Sequence, residues 1–183
     1  MKLESLIEDK YYHIYNRGIN GCIIFTNDAN KQYFLNLYKK YLSTYVSTFA
    51  YCLLSNHFHF VIRIEAEPKL VTQAFSNLFN AYAKAFNKRE ERTGSLFEKH
   101  FKRIELTQEK YLQRLILYVH LNPKMHFGED FENYSFSSYS SLISKKETLL
   151  KREDVLNLFE NRENFIDTHQ IRNLEIEEKF RLE

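Results

Sequence analysis

At 183 residues and 44% hydrophobic side chains, the chain is long enough to close one proper core and too short for several domains. A net charge of +2 does not by itself declare a polyanion partner, and two cysteines without metal-type spacing exclude a disulfide scaffold or a cysteine zinc site. No run reaches the ~18 apolar residues of a membrane span, and Met1 to Lys10 lacks a signal-peptide core, so a cytoplasmic protein with reduced thiols is expected.

Tyr11 to Arg17 alternates aromatic and polar residues and predicts a first strand. Gly18 and Gly21 open a loop, and Thr26, Asn27 or Asp28 can cap a helix to about Leu42, with Phe34, Leu35, Leu37, Tyr38 and Tyr41 facing inward. Val46 to Leu54 predicts a second strand, joined through Ser55-Asn56 to a third as an antiparallel hairpin. The third strand, His57-Phe58-His59-Phe60-Val61-Ile62, carries the main chemical signal. Alternate side chains of a strand share a face, so Phe58, Phe60, Ile62 and Ile64 form a core row while His57 and His59 stand together on the other side. Two imidazoles so placed can grip a divalent metal, or they can be a half-buried, hydrogen-bonded pair.

Pro68 starts a long helix through about Glu91, ended by Thr93-Gly94. Ser95 to Glu105 reads as extended and basic-aromatic. Residues 84–103 hold seven Lys or Arg against three Glu, the pattern of a nucleic-acid surface or of a solvated helix. Lys99, Lys102 and Arg103, interleaved with Phe97 and Phe101, could track an unpaired strand, and Arg17 could reach a phosphate. Thr107 opens the next helix, which is expected to stop at Pro123 because a residue before proline is pushed out of helical geometry. Its buried stripe is Leu112, Leu115, Ile116 and Val119, and Tyr118 and Asn122 stand at i and i+4 on one flank. Short helical pieces follow from about Arg152, and residues 160–183 carry seven Asp or Glu against four Lys or Arg. The element order predicts an α+β fold: an antiparallel, ferredoxin-like sheet with helices packed on one face, plus short C-terminal helices.

The His57-Phe58-His59 strand, Gly94-Ser95-Leu96-Phe97 followed by basic residues, and Tyr118-Val119-His120-Leu121-Asn122-Pro123 together resemble the single-tyrosine HUH transposases, closest to the REP-associated branch. The likeness runs from Tyr11 through Ser137-Ser138-Tyr139. It departs from many relatives at Ser55, where they have proline, and at Asn122, where mobile relatives carry glutamine, which questions self-transposition. The resemblance implies an HUH palm over residues 1–148 with a helical, acidic extension over 149–183. It implies Tyr118 as nucleophile on single-stranded or hairpin DNA, leaving a 5′-phosphotyrosine and a free 3′-hydroxyl. It also implies one divalent ion, Mg²⁺ or Mn²⁺, on His57, His59 and Asn122. Whether such a protein works alone or as a homodimer stays open.

A free tyrosine has a pKa near ~10, so a metal-bound water or a neighbouring base must help remove its proton. His13 could stand behind the metal ligands or be a plain strand histidine. His120 points to another side of its helix, and His100, His126 and His169 carry no constellation. Three other readings share parts of this pattern: a non-cutting single-stranded nucleic-acid module, a replication-initiator or relaxase-type nicking enzyme, and a metal-dependent hydrolase using water.

Overall fold

The structure is a computed structural model that describes residues 5–181, with side chains as far as Glu175. Residues 1–4 of the predicted N-terminal segment and the carboxylates Glu177, Glu178 and Glu183 of the acidic tail lie outside the described side chains. Four strands, β1 (Tyr11–Arg17), β2 (Val46–Leu53), β3 (His57–Ile64) and β4 (Lys102–Leu106), form one antiparallel sheet in the order β2-β3-β1-β4. The helices are α1 (Asp28–Leu42), α2 (Pro68–Arg89), α3 (Glu109–Phe127), α4 (Tyr139–Ile143), α5 (Arg152–Leu158) and α6 (Arg162–Arg181). The antiparallel α+β fold is therefore as the residue pattern predicts.

Period-two alternation in β3 divides the core. Phe58, Phe60, Ile62 and Ile64 enter one cluster with Phe34 and Leu37 of α1 and Val71, Phe75 and Leu78 of α2. Asn27 caps α1 as its composition suggests, its Oδ1 accepting from the Asn30 N–H at 3.0 Å. Val61, from the histidine side of β3, enters a second cluster with Leu112, Leu115, Ile116 and Val119 of α3 and with Val155, Phe159 and Phe165. Helices thus cover both faces, which corrects the expectation of one. The histidine face is itself apolar at Val61 and Leu106, and the α3 stripe needs burial that only this face offers. Each of its four aliphatic side chains gains roughly 1.5–3 kcal/mol by leaving water.

The free edge of β2 is closed by chain from beyond α3. The Leu53 N–H donates to the Phe136 carbonyl, and the N–H groups of Ser138 and Lys151 donate to the carbonyls of Tyr51 and Thr48, all at 2.9 Å.

A second correction concerns α3, which runs through Pro123 to Phe127. Proline removes one helical N–H and crowds the carbonyl four residues back, so the local rule favours an end there. The Asn122 amide Nδ2 instead donates to the Tyr118 carbonyl at 2.7 Å, bracing the turn before the proline. The helix closes at Gly128, whose φ of 66° is the left-handed value that glycine adopts without strain, and whose N–H donates to the Lys124 carbonyl at 3.0 Å.

Gly18 ends β1 where the chain turns back sharply. A Cβ there would stand 2.0 Å from the Cys22 carbonyl oxygen. Gly18→Ala is expected to destabilise the fold by about 1–3 kcal/mol, the usual cost of overpacking, read as a lower urea midpoint. A wild-type midpoint would show that the turn at residues 18–22 shifts freely.

Candidate active site at the histidine strand and tyrosine helix

The register of β1 against β3 sets Tyr15 opposite His59 and Arg17 opposite His57. His13, Tyr15, His57 and His59 therefore share the sheet face that α3 covers. The His13 and His59 rings stack with centroids 5.1 Å apart, and His13 Nε2 lies 2.9 Å from His59 Nδ1. His57 lies edge-on to His59 at 5.1 Å, with its Nδ1 2.7 Å from Asn56 Oδ1. An amide oxygen only accepts, so His57 Nδ1 carries the proton and Nε2 presents a lone pair.

Burial holds all three imidazoles neutral near pH 7. It lowers His13 and His57 to about 4 and His59 well below its ordinary value, with the neighbouring histidines adding to the shift at His59. Neutral imidazole is the form a metal requires.

Tyr118 projects from α3 over this row. Its ring meets His59 edge-on at 5.6 Å and His13 at 6.5 Å, all within one chain. Burial raises the phenol pKa above its usual value, and the side chain of Asn122 partly offsets this. The hydroxyl is thus protonated at neutral pH and needs help to become a nucleophile. Asn122 is fully buried and stands beside both Tyr118 and His57.

Two buried polar atoms here make no hydrogen bond: His59 Nε2 and Asn122 Oδ1. Leaving such groups unsatisfied costs about 1–3 kcal/mol each. With His57 Nε2 they offer two imidazoles and one amide oxygen, donor types that a divalent cation accepts. Among the described residues no group of three or more His, Cys, Asp or Glu is arranged to hold a metal. Any cation here would depend on Asn122 and on oxygens from water or substrate to fill its shell.

Tyr118, His57 and His59 line a cleft of about 580 Å³ together with Arg17, Lys102 and Glu98, and Asn122 lies buried behind it. Glu98 is held there because its N–H donates to the Arg17 carbonyl at 2.9 Å, and its carboxylate takes the Arg17 guanidinium at 2.5 Å. Lys102 lines the cleft, whereas Lys99 is exposed and does not line it. Arg103 lies over the Phe101 ring at 4.4 Å, in a neighbouring cleft of about 600 Å³ that shares Asn16 and Glu98 with the first.

Tyr118, Asn122, His57 and His59 are thus brought together, with Arg17 and Lys102 at the rim. Sequence reasoning missed Tyr15, Glu98 and His126. The His126 ring meets His57 edge-on at 5.1 Å, and Phe127 also lines the cleft. Tyr118, Asn122 and His126 stand at i, i+4 and i+8, one row of a continuing helix. Reading α3 as ending at Pro123 hid that row, although Gly128 marked the true end.

The strand order, the two helices behind the sheet and the tyrosine helix before it place the chain in the α+β class with a histidine-bearing central strand. Among solved structures its fold is similar to that of a REP-associated tyrosine transposase bound to a REP hairpin. The TM-score is 0.61 and the identity 13%, over 85% of this chain and 92% of that one. No protein-family model matches the sequence, and no curated protein matches it. Among the described residues no helix is long and apolar enough to cross a membrane.

Proposed function

We propose that the protein cuts and rejoins single-stranded DNA at hairpin or repeat sequences through a tyrosine–DNA intermediate. The observation that carries this reading is Tyr118 lying against His59 with the unpartnered His59 Nε2 and Asn122 Oδ1 beside it. The fold shared with a hairpin-bound transposase supports DNA as the partner.

In the proposed reaction the Tyr118 oxygen forms a bond to the scissile phosphorus and the bond from phosphorus to the 3′-oxygen breaks. The phenolic proton leaves Tyr118 and a proton reaches the departing 3′-oxygen, so charge is balanced. The 5′-phosphotyrosine ester can be attacked by another 3′-hydroxyl, which rejoins a strand without an energy source. His57, His59 and Asn122 would hold one Mg²⁺ or Mn²⁺, which supplies charge neutralisation at the phosphate. Arg17 and Lys102 would steer the backbone into the cleft. Tyr118 lies against His59 and His13 of its own chain, which supports use of the tyrosine in cis.

The test is incubation of the protein with end-labelled hairpin DNA bearing single-stranded flanks, with Mn²⁺ or Mg²⁺. Metal-dependent cleavage that EDTA abolishes is expected. Tight binding without any cleavage in either metal would favour the non-cutting module instead. For the cleft itself, Lys102→Ala in a Tyr118→Phe background is expected to reduce the slope of log Kd against log salt by about 1. Fluorescence anisotropy reads this, and an unchanged slope would remove Lys102 from the DNA path.

A further inference from the structure

Behind α3, away from the cleft, lies a second histidine pair. His120 and His169 are fully buried, and Ser138 is as well. His169 Nδ1 is 2.7 Å from the Phe165 carbonyl oxygen, and its Nε2 is 2.8 Å from His120 Nδ1. His120 Nε2 is 2.7 Å from Ser138 Oγ, which accepts from the Tyr51 N–H at 2.8 Å.

Hydrogen-bond chemistry leaves one arrangement of protons. A carbonyl only accepts, so His169 Nδ1 donates to Phe165. A neutral imidazole has one N–H, so His169 Nε2 must accept and His120 Nδ1 must donate to it. His120 Nε2 then accepts, and the single Ser138 hydroxyl proton fills that bond. Its alternative acceptor, the Tyr51 carbonyl at 3.3 Å, is the longer contact. Both rings are fully buried among apolar side chains, where the neutral form is favoured. The pair sits among Tyr139, Phe165 and Phe159, with Phe165 4.2 Å and Tyr139 5.0 Å from His169.

We infer that this one-directional chain, from β2 through Ser138, His120 and His169 to the α6 backbone, is a clamp that sets the rotation of α3 and thereby positions Tyr118. The inference rests on the proposed role of Tyr118 for its functional half. His120 is two residues from Tyr118 and about 200° around the helix from it. Fixing the rear side chain to both β2 and α6 therefore fixes where the front one points. Among the described residues no side chain of α6 lines the cleft, yet α6 holds the far end of the clamp. In such a geometry a displacement of about 1 Å at the nucleophile is worth roughly a hundredfold in rate. His169 and Ser138 are thus positioning residues.

The test uses the full chain and two variants. His169→Phe removes the acceptor for His120 Nδ1, whereas His169→Gln supplies an amide oxygen in its place. In ¹⁵N-histidine NMR of the wild type, His120 and His169 are both expected as Nδ1–H tautomers. In single-turnover reactions His169→Phe is expected to form the DNA adduct at least tenfold more slowly, with an unchanged hairpin Kd. His169→Gln is expected to recover most of that rate. An Nε2–H tautomer at either ring, or a wild-type rate for His169→Phe, would overturn the clamp. If the wild type itself forms no adduct, the functional reading fails and hydrogen exchange decides the clamp. Faster exchange of the Tyr118–Asn122 amides in His169→Phe supports it, and unchanged exchange overturns it.

Discussion

Replacing His13 with phenylalanine is expected to weaken divalent-cation binding about 10- to 100-fold, the usual effect of losing the group behind a metal-binding histidine. His13 is not among the proposed cation ligands. Its Nε2 faces His59 Nδ1 at 2.9 Å, and when it accepts a proton there, His59 is held in the tautomer whose Nε2 lone pair is free. Phenylalanine keeps the stacking surface that His13 offers Tyr15 at 4.6 Å but leaves the His59 N–H with no acceptor. His59 can then swap tautomers and lose its donor atom. His13→Gln, which can accept through its amide oxygen, is expected to recover part of the affinity. Calorimetric titration with Mn²⁺ checks both variants, and wild-type affinity in His13→Phe would show that His59 needs no partner.

Acid is expected to unfold the protein well before its carboxylates are all protonated. His13 and His169 are buried and titrate at about 4 in the folded chain against 6.5 when unfolded. Between those values the unfolded chain takes up protons that the folded chain refuses. The stability these groups contribute is therefore complete above pH 6.5 and is lost as pH falls toward 4. Each group costs about 1.4 kcal/mol per pH unit in that window, so at pH 5 the two together cost about 4 kcal/mol. His57, His59 and His120 shift in the same direction. Against a typical total stability of about 5–15 kcal/mol, the loss is large. Thermal melts in EDTA are expected to drop by about 10 °C or more between pH 7.5 and 5.0. Equal melting temperatures at the two values would contradict the buried neutral histidines.

What could be read from the chain followed the range of each signal. Alternation in β3 needs only neighbours in sequence, and it put Phe58 and Phe60 in the core and His57 and His59 on the opposite face correctly. The i, i+4 relation of Tyr118 and Asn122 is equally local. The second face of the sheet was less legible, because its apolar lining is split between Val61, Leu106 and the α3 stripe, on three separate elements. A short-range proline rule misplaced the end of α3 and with it His126. The His13–His59 and His120–His169 pairs join residues 46 and 49 positions apart, which no periodicity reports. Glu98 reaches Arg17 only through the loop that follows Gly94, where φ is +85°.

Two tyrosines face the histidine row, Tyr118 from α3 and Tyr15 from β1, whose ring is 5.8 Å from His59. Locating the covalent attachment is the measurement that separates them. The DNA adduct would be trapped on denaturing gels, digested with nuclease and trypsin, and sequenced by mass spectrometry. The phosphotyrosine mechanism predicts the nucleotide on the peptide 115–124, at Tyr118, with no adduct in Tyr118→Phe. Attachment to the peptide 11–17, or cleavage that leaves both peptides unmodified, would contradict it.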